Sequence, residues 1–344
     1  MATTMNYAAL APALAAIYRD TTVKTFNARS VLLRVIPKTR MLGKNSTWTW
    51  EGTGAIGENY TDGQDVANYG SDDKNVAVLT TGMYRSNFQI TDYAASGAAN
   101  SQSPSDLTDI AANEFINASR KVASTINGAG YAGAGTGTTI AGLSVAVADA
   151  NTYAGVDRTQ AANAGFRSSV FDPGVPTALS IDQIRGDISS IYDSCGETPQ
   201  LGLMPTNIWN KLASKFSEFR RLNQDVTVGS RIVRMDASVG MLEIDGCIFI
   251  KDKDCTASAI YYLNPDYVRW EYLPFPISEL QMEMLARTRE MQIDDGYGAM
   301  PLGMLCKALG ETGAAQKMTM QIQLQLVVSK PNSCGKRLNV SPTL

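Results

Sequence analysis

The sequence predicts an α+β protein carrying a basic N-terminal arm and a long projecting hairpin. Three observations lead to that expectation. A single apolar stripe from Leu107 to Ile126 marks one long helix. Apolar and polar residues alternate at 47–50, 75–92 and 318–328, marking strands, and an acidic, glycine-rich stretch at 51–73 separates the first two of these runs. The 344 residues suffice for two connected bodies with a sizeable core.

Composition narrows the function classes. Only 18% of residues are charged against 44% hydrophobic, below the ~25% charged residues of ordinary soluble domains, so much of the surface is expected to be covered by something other than water. A net charge of -3 gives no reason to expect sequence-specific nucleic-acid recognition, which needs clustered Lys and Arg. The chain has no histidine, which removes Ser-His-Asp and Cys-His catalysis and imidazole metal sites. Its five cysteines are odd in number and form no Cys-x-x-Cys pair, so reduced and mostly buried thiols are expected. No run reaches the ~18 apolar residues of a membrane span. The apolar stretch 7–18 lacks a preceding basic residue, so it does not read as a secretion signal. No catalytic, cofactor-binding or metal-ligating set is expected, and no membrane partner.

In chain order, residues 1–44 hold Arg19, Lys24, Arg29, Arg34, Lys38, Arg40 and Lys44 against Asp20, a net of about +6. Leu10, Leu14 and Ile17 recur at helical spacing, and the apolar run Val31, Leu32, Leu33, Val35 stops at Pro37. A solvated helix with a basic face and a contact arm are both compatible with this pattern. Thr47-Trp48-Thr49-Trp50 alternates as a strand. The run 75–92, with Val76, Val78, Tyr84, Phe88 and Ile90 on one parity, reads as the other arm of a hairpin. Between them lie Glu51, Glu58, Asp62, Asp65, Asp72 and Asp73, with no Lys or Arg. A loop of about 20 residues in a compact domain is usually functional or disordered, and this one is expected to project. Clustered acids could supply oxygen ligands to calcium, but their spacing does not fit an EF-hand.

Ser105 can cap the long helix, whose stripe Leu107, Ile110, Phe115, Ala118, Val122 and Ile126 is expected to stop at Asn127-Gly128. The run from Gly128 to Gly133 matches G-x-G-x-x-G literally. It follows a helix rather than a strand, so it reads as a helix stop and flexible connection, not a dinucleotide turn. A second body is expected from about residue 140. Ser180 caps a helix bearing Ile181, Ile184, Ile188 and Ile191 and ended by Gly196. The run 201–204 is a short buried strand, and Pro205-Thr206-Asn207 starts another helix. Asp245-Gly246 marks a tight hairpin between 241–244 and 247–250. Two more strands, 259–263 and 267–273, flank Asn264-Pro265-Asp266. The span 279–293 fits helix and strand equally. Met318, Met320, Ile322, Leu324, Leu326 and Val328 alternate with Thr and Gln, a long strand with one buried face.

This order of arm, hairpin, long helix, Gly-rich connection, mixed domain and closing strand resembles the major capsid proteins of tailed phages, which have the Hong Kong 97-type fold. More local echoes are Met204-Pro205-Thr206-Asn207-Ile208-Trp209, Ile244-Asp245-Gly246-Cys247-Ile248, Tyr261-Tyr262-Leu263-Asn264-Pro265, and Gly310-Glu311-Thr312-Gly313 before the closing strand. The resemblance implies an N-terminal arm at 1–44, an extended E-loop at 45–92, a peripheral domain with the spine helix at 93–140, an axial domain at 141–278, and a return to the peripheral domain at 279–344. It implies a self-assembling icosahedral shell of hexamers and pentamers around double-stranded DNA, located in the virion and assembled in the host cytoplasm. Expected subunit-interface residues are Arg19, Arg29, Arg34, Lys38, Arg40, Trp48, Trp50, Glu51, Glu58, Asp62, Asp65, Asp72 and Asp73. Partners implied are a separate scaffolding protein, since no long N-terminal scaffolding segment is visible, a portal, a decoration protein, and non-specific contact with packaged DNA. The hairpin tip has no lysine, and Lys44 and Lys74 lie at its base, so isopeptide cross-linking is not expected. Two rival readings are a nanocompartment (encapsulin-like) shell and a hydrolase using a carboxylate pair such as Asp294-Asp295.

Overall fold

The computed structural model describes residues 24–26, 29–51, 74–93, 105–215, 220–221, 225–228, 231–234, 241–275, 301–311 and 315–341. Its helices are α1 Val31–Val35, α2 Ser105–Ala132, α3 Ile181–Cys195 and α4 Thr206–Lys215. The strands used below are β1 Lys38–Arg40, β2 Asn45–Glu51, β3 Lys74–Thr80, β4 Gly82–Thr91, β5 Ser169–Phe171, β6 Leu201–Pro205, β7 Arg220–Arg221, β8 Met241–Ile244, β9 Cys247–Asp252, β10 Ile260–Leu263, β11 Val268–Tyr272, β12 Leu305–Glu311, β13 Ala315–Val328 and β14 Gly335–Arg337.

Two sheets organise the chain. The first has five strands in the order β1-β11-β13-β12, with β4 on the other side of β13. The 14-residue β13 is its axis, pairing antiparallel with β4, β11 and β12. The second has seven strands in the order β7-β8-β9-β6-β10-β14-β5. The span 259–273, expected to stay within one body, therefore divides: β10 joins the second sheet and β11 the first. The C-terminal β14 also crosses back to the second sheet.

The second sheet is buried on both faces, and its sequence explains why. Leu201, Leu203, Tyr261 and Leu263 pack into the core shared with α2, while Met204, Ile260 and Tyr262 pack with α3 and α4. Continuous apolar runs such as Leu201–Pro205 are the signature of a strand with no solvent face. Local signals behave as read. Ser180 and Gln183 form a reciprocal capping box, and Gly196 ends α3 at φ 74°. Asp245 and Gly246 both take positive φ, 48° and 79°, as a two-residue hairpin with a right-handed twist requires.

Three expectations are corrected. The helix α2 does not stop at Asn127 but runs to Ala132, 28 residues and about 42 Å. Asn127 is buried, and its side chain bonds to distant groups instead of competing for its own backbone. Gly130 stays helical because it passes beneath α1 and Trp270: a Cβ there would lie 2.6 Å from Leu32 Cδ1. The run 75–92 is two strands, not one hairpin arm. At Thr81 the chain leaves β2 for β13 and the parity changes, so Ala77 and Leu79 point inward while Val76 is 60% exposed. The closing strand also buries part of its polar face. Thr319 and Gln325 are each 1% exposed, and Gln325 accepts from Ala141 N and donates to the Thr80 carbonyl.

Candidate assembly surfaces

The arm is tied down from Ser30 onward by specific polar contacts. Ser30 caps α1 by accepting from Leu33 N at 3.0 Å, and its hydroxyl donates to Asn127 Oδ1 at 2.7 Å. Leu32 and Leu33 are fully buried, and Trp270 Nε1 donates to the Leu32 carbonyl. After Pro37 the chain extends, as the residue before a proline and the ring itself favour, and β1 adds parallel to β11 in the register Lys38 to Trp270. Among the arm cations expected at an interface, Arg29 and Lys38 are exposed, Arg34 and Arg40 are half-buried, and Arg19 lies outside the described residues.

The hairpin of β2 and β3 stands on the polar face of the first sheet. Ser46 Oγ donates to the buried Glu271 carboxylate, which also holds Arg269 at 2.6 Å. Its inward face is Ser46, Trp48, Trp50, Ala77 and Leu79; its outward face includes Thr47, Thr49, Val76 and Val78. Trp50, 7% exposed, packs on Phe166 at 4.8 Å between ring centroids, and half-buried Trp48 donates to the Ser329 carbonyl. Both tryptophans thus fasten the hairpin root to its own chain. Glu51 is at the strand end, in register with Lys74. Glu58, Asp62, Asp65, Asp72 and Asp73 lie outside the described residues, as do Asp294 and Asp295.

Residues that the sequence did not single out join the parts. Asn127 Nδ2 donates to both oxygens of buried Asp252 and to Asp254, and Tyr131 OH donates to Asp252 at 3.0 Å. Burial, with Cys255 and Asp252 nearby, raises the Tyr131 phenol well above its ordinary range, so it stays a proton donor. Asp187 on α3 accepts from Arg337 on β14, Nε and Nη2 both at 2.6 Å, and from Tyr262 OH on β10 at 2.8 Å. Arg158 is buried beside Tyr153 and Phe166, and its guanidinium donates to the carbonyls of Ala146 and Ala148. An isolated Asn, Asp or Arg in a sequence carries no mark of such long-range partners.

The chemistry of these groups is structural. The buried carboxylates of Asp187, Asp252 and Glu271 accept hydrogen bonds from protein donors, and among the described residues no three potential metal ligands converge. All five cysteines are free, four of them buried; burial pushes the Cys306 thiol up to about 12 and the Cys334 thiol to about 11. Among the described residues no helix is long and apolar enough to cross a membrane. What remains conspicuous is architecture: an anchored arm and a hairpin set upon a two-sheet body.

That architecture is shared. No protein-family model and no curated protein sequence matches the chain. Solved structures do. The capsid of cyanophage A-1(L) superposes with a TM-score of 0.66 at 17% identity, over 93% of this chain and 92% of that one. The chain has the capsid fold. A native GTA particle capsid gives a TM-score of 0.56 at 9% identity, covering 90% of each chain. A Synechococcus elongatus encapsulin gives 0.52 at 10% identity, over 91% of this chain and 88% of that one. Within the capsid fold the α2 helix, the β13 axis and the hairpin are parts of one body, joined through a continuous core.

Proposed function

We propose that this chain is the major capsid subunit of a tailed bacteriophage, assembling with itself into an icosahedral shell of hexamers and pentamers that encloses double-stranded DNA. The observation that carries this reading is the nearly full-length superposition on the cyanophage capsid. The exposed Arg29 and Lys38 and the antiparallel pair of β2 and β3, which presents Val76 and Val78 outward, are consistent with it. Residues 1–44 then serve as the arm, 45–92 as the E-loop with its root on β13, 93–140 and most of 279–344 as the peripheral domain, and 141–278 as the axial domain. In this reading β11, which pairs with β13, goes with the peripheral domain, and β14, which pairs with β10, goes with the axial domain.

In this reading apolar burial between copies supplies most of the stability. Exposed ion pairs, worth ~0 to 1 kcal/mol each, steer register. Arg19, Arg29, Arg34, Lys38 and Arg40 on the arm and Glu51, Glu58, Asp62, Asp65, Asp72 and Asp73 on the hairpin are the steering groups. The two tryptophans set the hairpin angle from within the subunit. A separate scaffolding protein, a portal, a decoration protein and non-specific contact with packaged DNA complete the partners, in the virion and, during assembly, in the host cytoplasm. The role is structural rather than enzymatic.

Electron microscopy of the purified chain tests the proposal. Closed shells or capsomer rings are expected; a stable monomer at high concentration overturns it. The encapsulin superposition supports a nanocompartment as the second reading, with lower similarity than the phage capsid. Terminase and portal genes beside the coding sequence separate the two, since only a genome-packaging shell requires them.

A further inference from the structure

The hairpin root rests on a segment of its own chain. Residues 143–168 hold a helical turn at Leu143–Ala146, a small hairpin pairing Thr152–Tyr153 with Val156–Asp157, and a 3-10 turn at Ala161–Phe166. Ala154 and Gly155 form the tip of the small hairpin, both at positive φ, 53° and 81°. Three contacts seat β2 and β3 on this segment. Phe166 packs on Trp50 with ring centroids 4.8 Å apart, Tyr153 meets Trp48 at 6.2 Å, and the Ala154 carbonyl accepts from Val78 N at 2.9 Å. Tyr153 OH also accepts from Val328 N, so the same segment reaches the end of β13.

Apolar contact between rings is non-directional, and Arg158 supplies the direction. Its side chain is fully buried. Nη1 donates to the Ala148 carbonyl and Nη2 to the Ala146 carbonyl, both at 2.7 Å. The guanidinium lies 4.7 Å from the centre of the Tyr153 ring and 5.4 Å from that of Phe166. A planar fork thus ties both rings to the backbone of 146–148. Arg167 clasps the segment from its other side, donating to the carbonyls of Arg158, Thr159 and Gln160. The end of the segment is fixed where Ser168 N donates to the Ala148 carbonyl and Ser169 N to that of Cys334. Among the described residues no carboxylate forms an ion pair with Arg158. Burial lowers its guanidinium to about 10, which leaves it charged at neutral pH. A buried charge held by neutral carbonyls and rings is costly, and an apolar side chain would fill the space at lower cost. The charge therefore points to positioning rather than to stability.

We infer that residues 143–168 are a clamp that fixes the direction of the hairpin root, with Arg158 as its pin. Arg158 acts on Trp48 and Trp50 through Tyr153 and Phe166. Hairpin direction is then a property of the single subunit, set before a second copy arrives. The inference rests on the shell reading for its consequence, a uniform curvature of the assembly, and on the subunit alone for its mechanism.

Hydrogen exchange of the unassembled chain, compared between wild type and R158Q, tests the clamp. Amides of 45–50 and 75–80 are expected to exchange at least about tenfold faster in R158Q, while those of α3 keep their wild-type rates. R158K keeps the charge but not the fork, and is expected to loosen the same amides; full protection in R158K overturns the pin geometry. Faster exchange confined to 143–168, with the root unchanged, overturns the inference, because Arg158 then holds only its own segment. A uniform increase throughout the chain overturns it in favour of plain stability. Should circular dichroism show R158Q unfolded, F166A takes its place with the same expected and overturning results, since it removes a ring and leaves the carbonyl bonds of Arg158. Electron microscopy is expected to show shells of mixed size for R158Q. A size distribution identical to wild type, despite a loosened root, overturns the directional role. Failure of wild type to form shells overturns the shell reading and leaves the exchange result standing.

Discussion

Asn127 and Asp252 form the joint at which α1, α2 and the second sheet meet. Asn127 Nδ2 donates to Asp252 Oδ2 at 3.0 Å and Oδ1 at 3.2 Å, while its carbonyl oxygen accepts from Ser30 Oγ and Leu32 N. One amide thus donates to a buried carboxylate, which Tyr131 OH also serves, on one side and positions the start of α1 on the other. Hydrogen bonds to charged groups in a dry site are the strong class, and leaving such a group unpaired costs its desolvation.

Asn127→Ala is therefore expected to destabilise the protein by about 2 to 4 kcal/mol. Urea denaturation measures the loss. Limited trypsinolysis is expected to cut faster at Lys24 and Arg29, because Ser30 loses its anchor. Equal cleavage rates would separate arm docking from this joint.

Two neighbouring glycines of α2 are expected to respond oppositely. At Gly130 a Cβ would meet Leu32 Cδ1 at 2.6 Å and Trp270 at 3.3 Å, so Gly130→Ala pushes α1 away and costs about 1 to 3 kcal/mol. At Gly128 nothing lies within 4 Å, and Gly128→Ala is expected to stabilise by up to about 1 kcal/mol through helix propensity. Thermal unfolding of the two variants gives the comparison.

Asp187→Ala leaves the Arg337 guanidinium, on a side chain 13% exposed, without its carboxylate, and deprives Tyr262 OH of its acceptor. Breaking a buried pair from one side costs roughly 3 to 5 kcal/mol. Replacing both partners, as Asp187→Leu with Arg337→Met, is expected to recover part of that loss, which a double-mutant cycle in urea resolves.

Glu197 sets an acid-side dependence. Partial burial alone would push its carboxyl up, but Lys330, Tyr267 and Asn264 outweigh burial and hold it below the ordinary 4.5. A group with a lowered folded value stabilises above its unfolded pKa and loses that contribution as pH falls through the folded value. With the pair about one-third exposed, 35% on each side, solvent screening keeps the contribution under about 1 kcal/mol. Wild type and Glu197→Gln are expected to differ in urea midpoint above pH 4.5 and to converge in more acid solution.

The sequence by itself determined the elements whose signals are local. Ser180 with Gln183, Asp245-Gly246, the stripe on α2 and the alternation in β13 each depend on residues within a few positions, and periodicity or turn chemistry exposes them. It also gives the basic balance of residues 1–44 and the acidic balance of 51–73, because charge is a property of composition. Tertiary structure alone decided what spans the chain. Asn127, read locally as a helix stop, is kept helical by partners 97 and 125 residues away. Trp48 and Trp50 face their own core through Phe166 and the Ser329 carbonyl, and the chain changes hydrogen-bonding partner at Thr81; alternation reveals neither. Arg85, Lys307 and Lys317 share one sheet face because β13 aligns β4 with β12, strands more than 200 residues apart in sequence. Register between distant strands is set by the packing of the whole sheet, so no window of sequence contains it.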